Sequence, residues 1–224
     1  MKKTMISLMV TGTVIIFSQA SAQNHTTWMK KTTFGIRAGV DFQNINGKDY
    51  NGNKMNNNII PGFNTGVNLE IPMTKGFYLQ PGLLLKTRGA EYSDHKTVHL
   101  AYLEIPVNFV YKPALGTGHL IAGFGPYIDF GIGGKVVYDG NEPDKKVHFT
   151  NNVTDADNDD YVYYRKVGAG ANLLFGYEFA NKLSFQLNTQ LGLTDINPKY
   201  NNEPLSPNAV AKHTGFGISA GYRF

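Results

Sequence analysis

Three groups of residues have types and spacings that could do chemistry. Asp155-Ala-Asp-Asn-Asp-Asp160 sets carboxylates at alternate positions, which is how a loop converges oxygen ligands on one hard cation such as calcium. The sixth place of such a loop, where a glycine makes the turn, holds Asp160, and the twelfth, where a bidentate glutamate closes the shell, holds Lys166. The run therefore reads first as a solvated acidic loop. His95 and His99 stand four apart, a spacing that would bring two imidazoles together on a helix but guarantees nothing on a loop. Ser206, His213 and Thr214 supply the hydroxyls and base that a small lipid-hydrolysing barrel would need near one rim, but no motif links them. Loop solubility and strand-end polarity account for all three, so no catalytic residue, metal or cofactor is assigned.

The elements that would position these residues are eight segments of strict alternation. The plainest is Thr214 to Phe224, with Phe216, Ile218, Ala220, Tyr222 and Phe224 in one row and Gly215, Gly217, Ser219, Gly221 and Arg223 in the other. A period of two with one apolar face is a half-buried strand. The same pattern runs over Phe34 to Phe42, Phe63 to Ile71, Phe77 to Leu85, Leu103 to Tyr111, Leu120 to Phe130, Val167 to Phe179 and Leu183 to Leu193. Each is near the ~9 to 11 residues a tilted strand needs to cross a bilayer. Short connections follow the second, fourth and sixth segments, at 72–76, 112–118 and 180–182, and longer polar ones follow the odd segments. Short turns on one side and long loops on the other mark an outer-membrane barrel. The expected fold is all-β, an eight-stranded antiparallel up-and-down transmembrane β-barrel, with both termini periplasmic and the long loops extracellular.

Composition and charge agree with export. Lys2 and Lys3, the apolar stretch Met5 to Phe17 and Ala20-Ser-Ala22 form a secretory signal peptide with expected cleavage after Ala22. That leaves a periplasmic segment 23–33 and a barrel domain 34–224. The apolar stretch is too short to span a bilayer as a helix. The absence of cysteine removes disulfides, thiolate metal sites and a lipoprotein cysteine. Losing the two leader lysines lowers the formal charge from +4 to +2, too weak and scattered for a nucleic-acid partner.

Periodicity alone does not say which row faces out, and a soluble lipocalin-like barrel with an apolar lumen is the alternative. Its outer row would be rich in charge. Here the non-apolar rows are rich in glycine, including Gly35, Gly39, Gly66, Gly168, Gly170, Gly217 and Gly221. Glycine weakens a solvent-facing strand but relieves crowding in a narrow lumen. With the apolar rows toward lipid, the lumen carries Arg37, Lys86, Arg88, Lys166 and Arg223 against Asp41, Glu70, Glu104, Asp129 and Glu178. Equal numbers imply a structural ion network, since ions sealed among side chains must neutralise one another. With odd strands running outward, Arg37, Glu70, Glu178 and Arg223 fall near the periplasmic end, where Glu70 should bridge Arg223 or Arg37. Asp41, Lys86, Arg88, Glu104 and Asp129 fall nearer the outer half. Lys135-Val-Val-Tyr138 and Lys146-Val-His-Phe-Thr150 flank a turn-rich run, a hairpin signal that would carry strands five and six beyond the membrane as a ribbon.

Several runs carry a family resemblance. Phe34-Gly-Ile-Arg-Ala-Gly39, Leu79-Gln-Pro-Gly82, Tyr102-Leu-Glu-Ile-Pro106, Ala122-Gly-Phe-Gly-Pro-Tyr127, Gly176-Tyr-Glu-Phe179 and Leu191-Gly-Leu-Thr-Asp-Ile-Asn197 resemble the PorT-like outer-membrane β-barrel family of Bacteroidota. The resemblance implies a small outer-membrane barrel, and the family's namesake is associated with the type IX secretion system. Tyr222 with the terminal Phe224 resembles the signal by which the barrel-assembly machinery recognises its clients. The expected function is a non-enzymatic barrel that anchors or interacts at the envelope, in contact with outer-membrane lipid and with envelope or secretion proteins. A barrel enzyme modifying envelope lipid is the alternative.

Overall fold

Each alternating segment becomes a strand because its apolar row can be buried only by something outside the sheet. The computed structural model describes residues 31–224 except 93–95, 141, 156, 158–159 and 205. The signal peptide and most of the segment 23–33 lie outside the described residues. The barrel strands are β1 (Thr33–Lys48), β2 (Ile60–Thr74), β3 (Phe77–Tyr92), β4 (Lys96–Tyr111), β5 (Gly118–Tyr138), β6 (Val167–Glu178), β7 (Leu183–Gly192) and β8 (Val210–Arg223). Each pairs antiparallel with the next, and β8 returns to β1 from Gly35↔Arg223 to Lys48↔Val210. The result is a closed eight-stranded antiparallel barrel with no free long edge.

The facing of the rows decides between lipid and water. Phe124, Leu173, Phe175, Leu187, Phe216 and Ile218 point outward and are each more than half exposed. Asp41, Lys86, Arg88, Glu104 and Asp129 point inward and are buried. A soluble barrel would reverse this arrangement. A continuous apolar belt around a polar interior is the transmembrane form, and it removes the lipocalin-like alternative. Cross-strand aromatic pairs stiffen the belt: Phe77 on Tyr111 at 4.6 Å, Phe42 on Phe216 at 5.3 Å and Phe34 on Phe224 at 5.8 Å.

Above the belt the polarity inverts without a change of parity. On β1 the inward row passes from Asp41 and Gln43 to Ile45, which is fully buried, while the outward row passes from Phe42 to Asn44, Asn46 and Lys48. On β8 the inward Ala211 and outward Lys212 repeat this. Beyond the membrane the outer face meets water, so the barrel acquires an ordinary apolar core. Ile45, Ala90, Val98, Leu100, Tyr102, Val136, Tyr164, Ile196 and Ala211 pack together at this end.

This inversion corrects two expectations. The connection after the third segment is not a long loop, because β3 and β4 run on to Tyr92 and Lys96 as an extended hairpin. The ribbon beyond the membrane keeps the expected hairpin of 135–138 with 146–150 and the continuation of strand five, but strand six does not share it. Strand β5 continues to Tyr138 and pairs with Lys145–Phe149, whose other edge runs parallel to Tyr161–Tyr164. Strand β6 begins only at Val167, and Phe149 turns over the lumen onto Tyr102, ring centroids 5.4 Å apart. The short turns lie at the other end. Gly76 (φ 79°) and Lys182 (φ 69°) take the left-handed conformation that such tight turns require.

The seam yields a first prediction. The Phe224 N–H donates to Phe34 O at 2.8 Å, and Tyr222 stands edge-on to Phe224 at 5.0 Å. Replacing Phe224 by Ala keeps this backbone bond but removes the ring that stacks on Phe34 and meets Tyr222. In cells the variant is expected to accumulate less heat-modifiable, membrane-integrated protein than wild type, read on unheated against heated gels. An unchanged amount would refute a role for this residue in assembly.

Candidate functional site

Inside the barrel, room is made residue by residue. Large inward side chains stand directly across from glycines: Asp129 from Gly168, Tyr127 from Gly170, Asp41 from Gly217, Gln43 from Gly215 and Arg223 from Gly35. A Cβ on Gly35 would come within 2.7 Å of the Arg223 guanidinium, so the glycine row is where the ion network fits.

The network forms two layers. At the turn end, Lys112 Nζ donates to Glu70 at 3.0 Å and to Glu178 at 2.7 Å. Arg223 reaches Glu70 at 3.3 Å and donates to Asn68 Oδ1 at 2.6 Å. Two cations thus face two carboxylates. Tyr78, Val110, Ile121 and Leu174 pack as a buried apolar cluster on inward positions toward the same end.

In the middle, Arg88 splits its two Nη groups between carboxylates. Nη2 donates to Glu104 Oε2 at 2.5 Å and Nη1 to Asp129 Oδ2. Its guanidinium lies 4.9 Å from the ring centre of Tyr127 and 5.3 Å from that of Tyr102. Lys86 donates to Gln190 Oε1 at 2.6 Å and lies 3.6 Å from Asp41 and 3.9 Å from Glu104. Gln190 donates in turn to Glu104 at 2.8 Å and Asn172 at 2.7 Å, and Asn64 donates to Asp41 at 2.9 Å. Arg37 makes no ion pair with Glu70; the carboxylates that act on it electrostatically are Glu104 and Asp41. Counting Arg37, three cations balance three carboxylates in this layer.

The structure also moves two cations. Lys166 is exposed, one residue before β6 begins, and takes no place in the lumen. Lys112, at the start of the short connection 112–118, replaces it. The signal was present: continuing the inward row of β4 through Glu104, Asn108 and Val110 by one step reaches Lys112.

The other candidate residues are dispersed. Asp157 caps the Thr154 N–H at 2.6 Å, and Asp155 accepts from the Tyr200 hydroxyl. Among the described residues, no three His, Asp or Glu side chains gather to hold a metal. His95 lies outside the described residues. His213 is buried with Nε2 at 3.0 Å from the Tyr102 hydroxyl, Thr214 accepts from Asn46 at 2.6 Å, and Ser206 donates to Tyr50 O at 3.3 Å. Their partners differ, and no nucleophile–base pair forms among them.

Above the Ile45 core the loop-end mouth opens into a cavity of about 710 Å³, lined by Tyr50, Tyr92, Tyr138, Tyr161, Tyr163 and Tyr164 with Lys48, Lys54 and the amides of Asn56, Asn57 and Asn197. Burial, with the neighbouring Tyr92, pushes the Tyr164 phenol up, so this hydroxyl stays neutral. Such a concave, aromatic surface with a few polar groups is suited to binding.

These features define an outer-membrane β-barrel whose lumen is packed with its own paired ions. The chain belongs to the family described as outer membrane protein beta-barrel domain, which matches residues 17–197. No curated protein matches it. Among solved structures it is similar to Ail, the attachment invasion locus protein of Yersinia pestis, at 13% identity and a TM-score of 0.43, over 87% of this chain and all of that one. Ail in complex with the heparin analogue sucrose octasulfate gives 14% and 0.42, over 87% of this chain and all of that one. A NanC porin gives 12% and 0.21, over 86% of this chain and 99% of that one.

Proposed function

We propose that this chain is a non-enzymatic barrel that anchors or interacts at the cell envelope, with its turn end and both termini periplasmic and its loop end at the cell surface. One observation carries this reading: the lumen is occupied by two ion-paired layers and capped by an apolar core, while a tyrosine-lined cavity stands open at the loop-end mouth. A filled eight-stranded barrel leaves its ends to do the work. The orientation follows from the short turns on one side and long loops on the other. The ion network is structural on this reading, and Tyr222 with Phe224 serves the assembly machinery. The finer kinship to the PorT-like barrels of Bacteroidota rests on the motifs around Tyr102 and Ala122, and it would make the partner an envelope or secretion protein. The lipid-modifying alternative gains no support from His213, whose imidazole is held by Tyr102.

The test is site-specific photo-crosslinking in intact outer membranes. A crosslinker at Tyr50, in the mouth, should give a discrete adduct. One at Leu115, in the turn-end strand Ala114–Leu115, is the control. Absence of an adduct at Tyr50 under conditions that label the control would remove the mouth as the interacting surface.

A further inference from the structure

The outward face of β3, β4 and β5 carries three cross-strand rows stacked at the upper edge of the belt. The lowest is apolar, Leu85, Leu103 and Phe130. The next is small, Thr87, Ala101 and Gly133. The third pairs Gly89 with His99, His99 with Lys135, and Lys135 with Lys146.

Two features of this arrangement are costly unless something covers it. Lys135 and Lys146 stand directly opposite one another on one face, and like charges so placed repel. The acid nearest Lys135 is Asp144, at 3.9 Å and half exposed, and Lys146 has no ion pair among the described residues. The small row also leaves a gap. The β2–β3 ladder stops at Asn64↔Lys86, above which Thr87 Oγ1 takes the Phe63 N–H at 2.8 Å. A groove of about 740 Å³ opens there, lined among others by Pro61, Phe63, Ala101, His99, Lys135 and Lys146. A Cβ added at Gly133 would meet nothing within 4 Å.

We infer that this groove seats a phosphorylated lipid of the outer leaflet. Its acyl portion lies over Leu85, Leu103 and Phe63, and its linker crosses the Thr87, Ala101 and Gly133 row. Its phosphate sits among His99, Lys135 and Lys146. The charge of the rim selects the anion, and continuity of the groove with the belt selects a lipid over a soluble phosphate. The leaflet follows from the orientation proposed above, but the binding chemistry does not depend on it.

The experiment uses the full barrel, folded in phosphatidylcholine vesicles containing lipid A, then extracted in mild detergent and weighed by native mass spectrometry. Wild type should retain one lipid A, and excess inorganic phosphate should not displace it. The Lys135→Ala/Lys146→Ala double variant should retain it roughly 30-fold less, the combined contribution expected of two lysines at a membrane surface. Gly133→Phe, which keeps both lysines and fills open space, should also lose it, and dephosphorylated lipid A should not be held by wild type. Heat-modifiable migration checks that each variant is folded. Equal retention by wild type and Gly133→Phe, or of phosphorylated and dephosphorylated lipid A, would overturn the site. Displacement by free phosphate would replace the lipid with a soluble anion. A reversed orientation in cells would leave these results intact, so its failure would be separately visible.

Discussion

Replacing Lys112 by methionine is expected to destabilise the barrel by about 3 to 5 kcal/mol, the cost of leaving buried charge without its partner. Lys112 joins Glu70 on β2 to Glu178 on β6, across the lumen. Its side chain is about 5% exposed and that of Glu70 about 7%, while that of Glu178 is about 14%, so water replaces the missing ammonium only in part and the loss falls at the lower end of that range. Arg223 still reaches Glu70, but Glu178 loses its ion pair with Lys112. The loss should appear as a lower urea midpoint for the purified barrel in vesicles, with folded protein read by unheated gel migration. Adding Glu178→Gln to Lys112→Met should recover part of the loss, because the stranded charge is then removed. A midpoint unchanged by Lys112→Met, or no recovery in the double variant, would contradict a pairing role for this lysine.

That Lys112 had to be found in the structure shows where the sequence is legible. Within the belt the outward row is apolar and the inward row mostly polar, Leu84, Val110, Ile121 and Leu174 excepted, so the strands, their order and the inward carboxylates could be read from parity. Parity is harder to follow at both ends. At the turn end, Lys112 precedes Pro113 in a run that reads as a turn, and its charge hides that the inward row continues through it. At the loop end the environment changes from lipid to water, and the preference of each row reverses with it. Leu100 and Val98 then look like loop residues to a reader expecting apolar side chains on the other face. The mouth was harder still. Phe149 and Tyr164 reach the lumen cap through Lys145–Phe149 and Tyr161–Tyr164, two short strands that pair in parallel, and no local pattern announces that pairing. Arg37 failed for a different reason. Height along the barrel placed it near Glu70, but strand neighbours do not decide which way a long guanidinium side chain leans, and its nearest fields come from Glu104 and Asp41.

The middle layer sets the second large effect. Arg88→Met should cost about 3 to 5 kcal/mol, since Glu104 and Asp129 lose the cation between them and the layer goes from neutral to a net negative charge. Lysine restores the charge but not the geometry. The guanidinium serves two carboxylates from two separate nitrogens while its face meets the rings of Tyr102 and Tyr127. A single ammonium cannot reproduce that fork or stack as a plane between rings. Arg88→Lys is therefore expected to lose about 1 to 3 kcal/mol, the penalty of a buried acceptor left unmet. Because both carboxylates are about 1% and 2% exposed, raising salt should leave the difference between wild type and variant unchanged, unlike that of a surface pair. Urea midpoints at low and high ionic strength measure this directly. A lysine variant as stable as wild type would show that charge alone suffices, and a difference that fades with salt would show that solvent reaches the layer and that the lumen is not closed at Arg88.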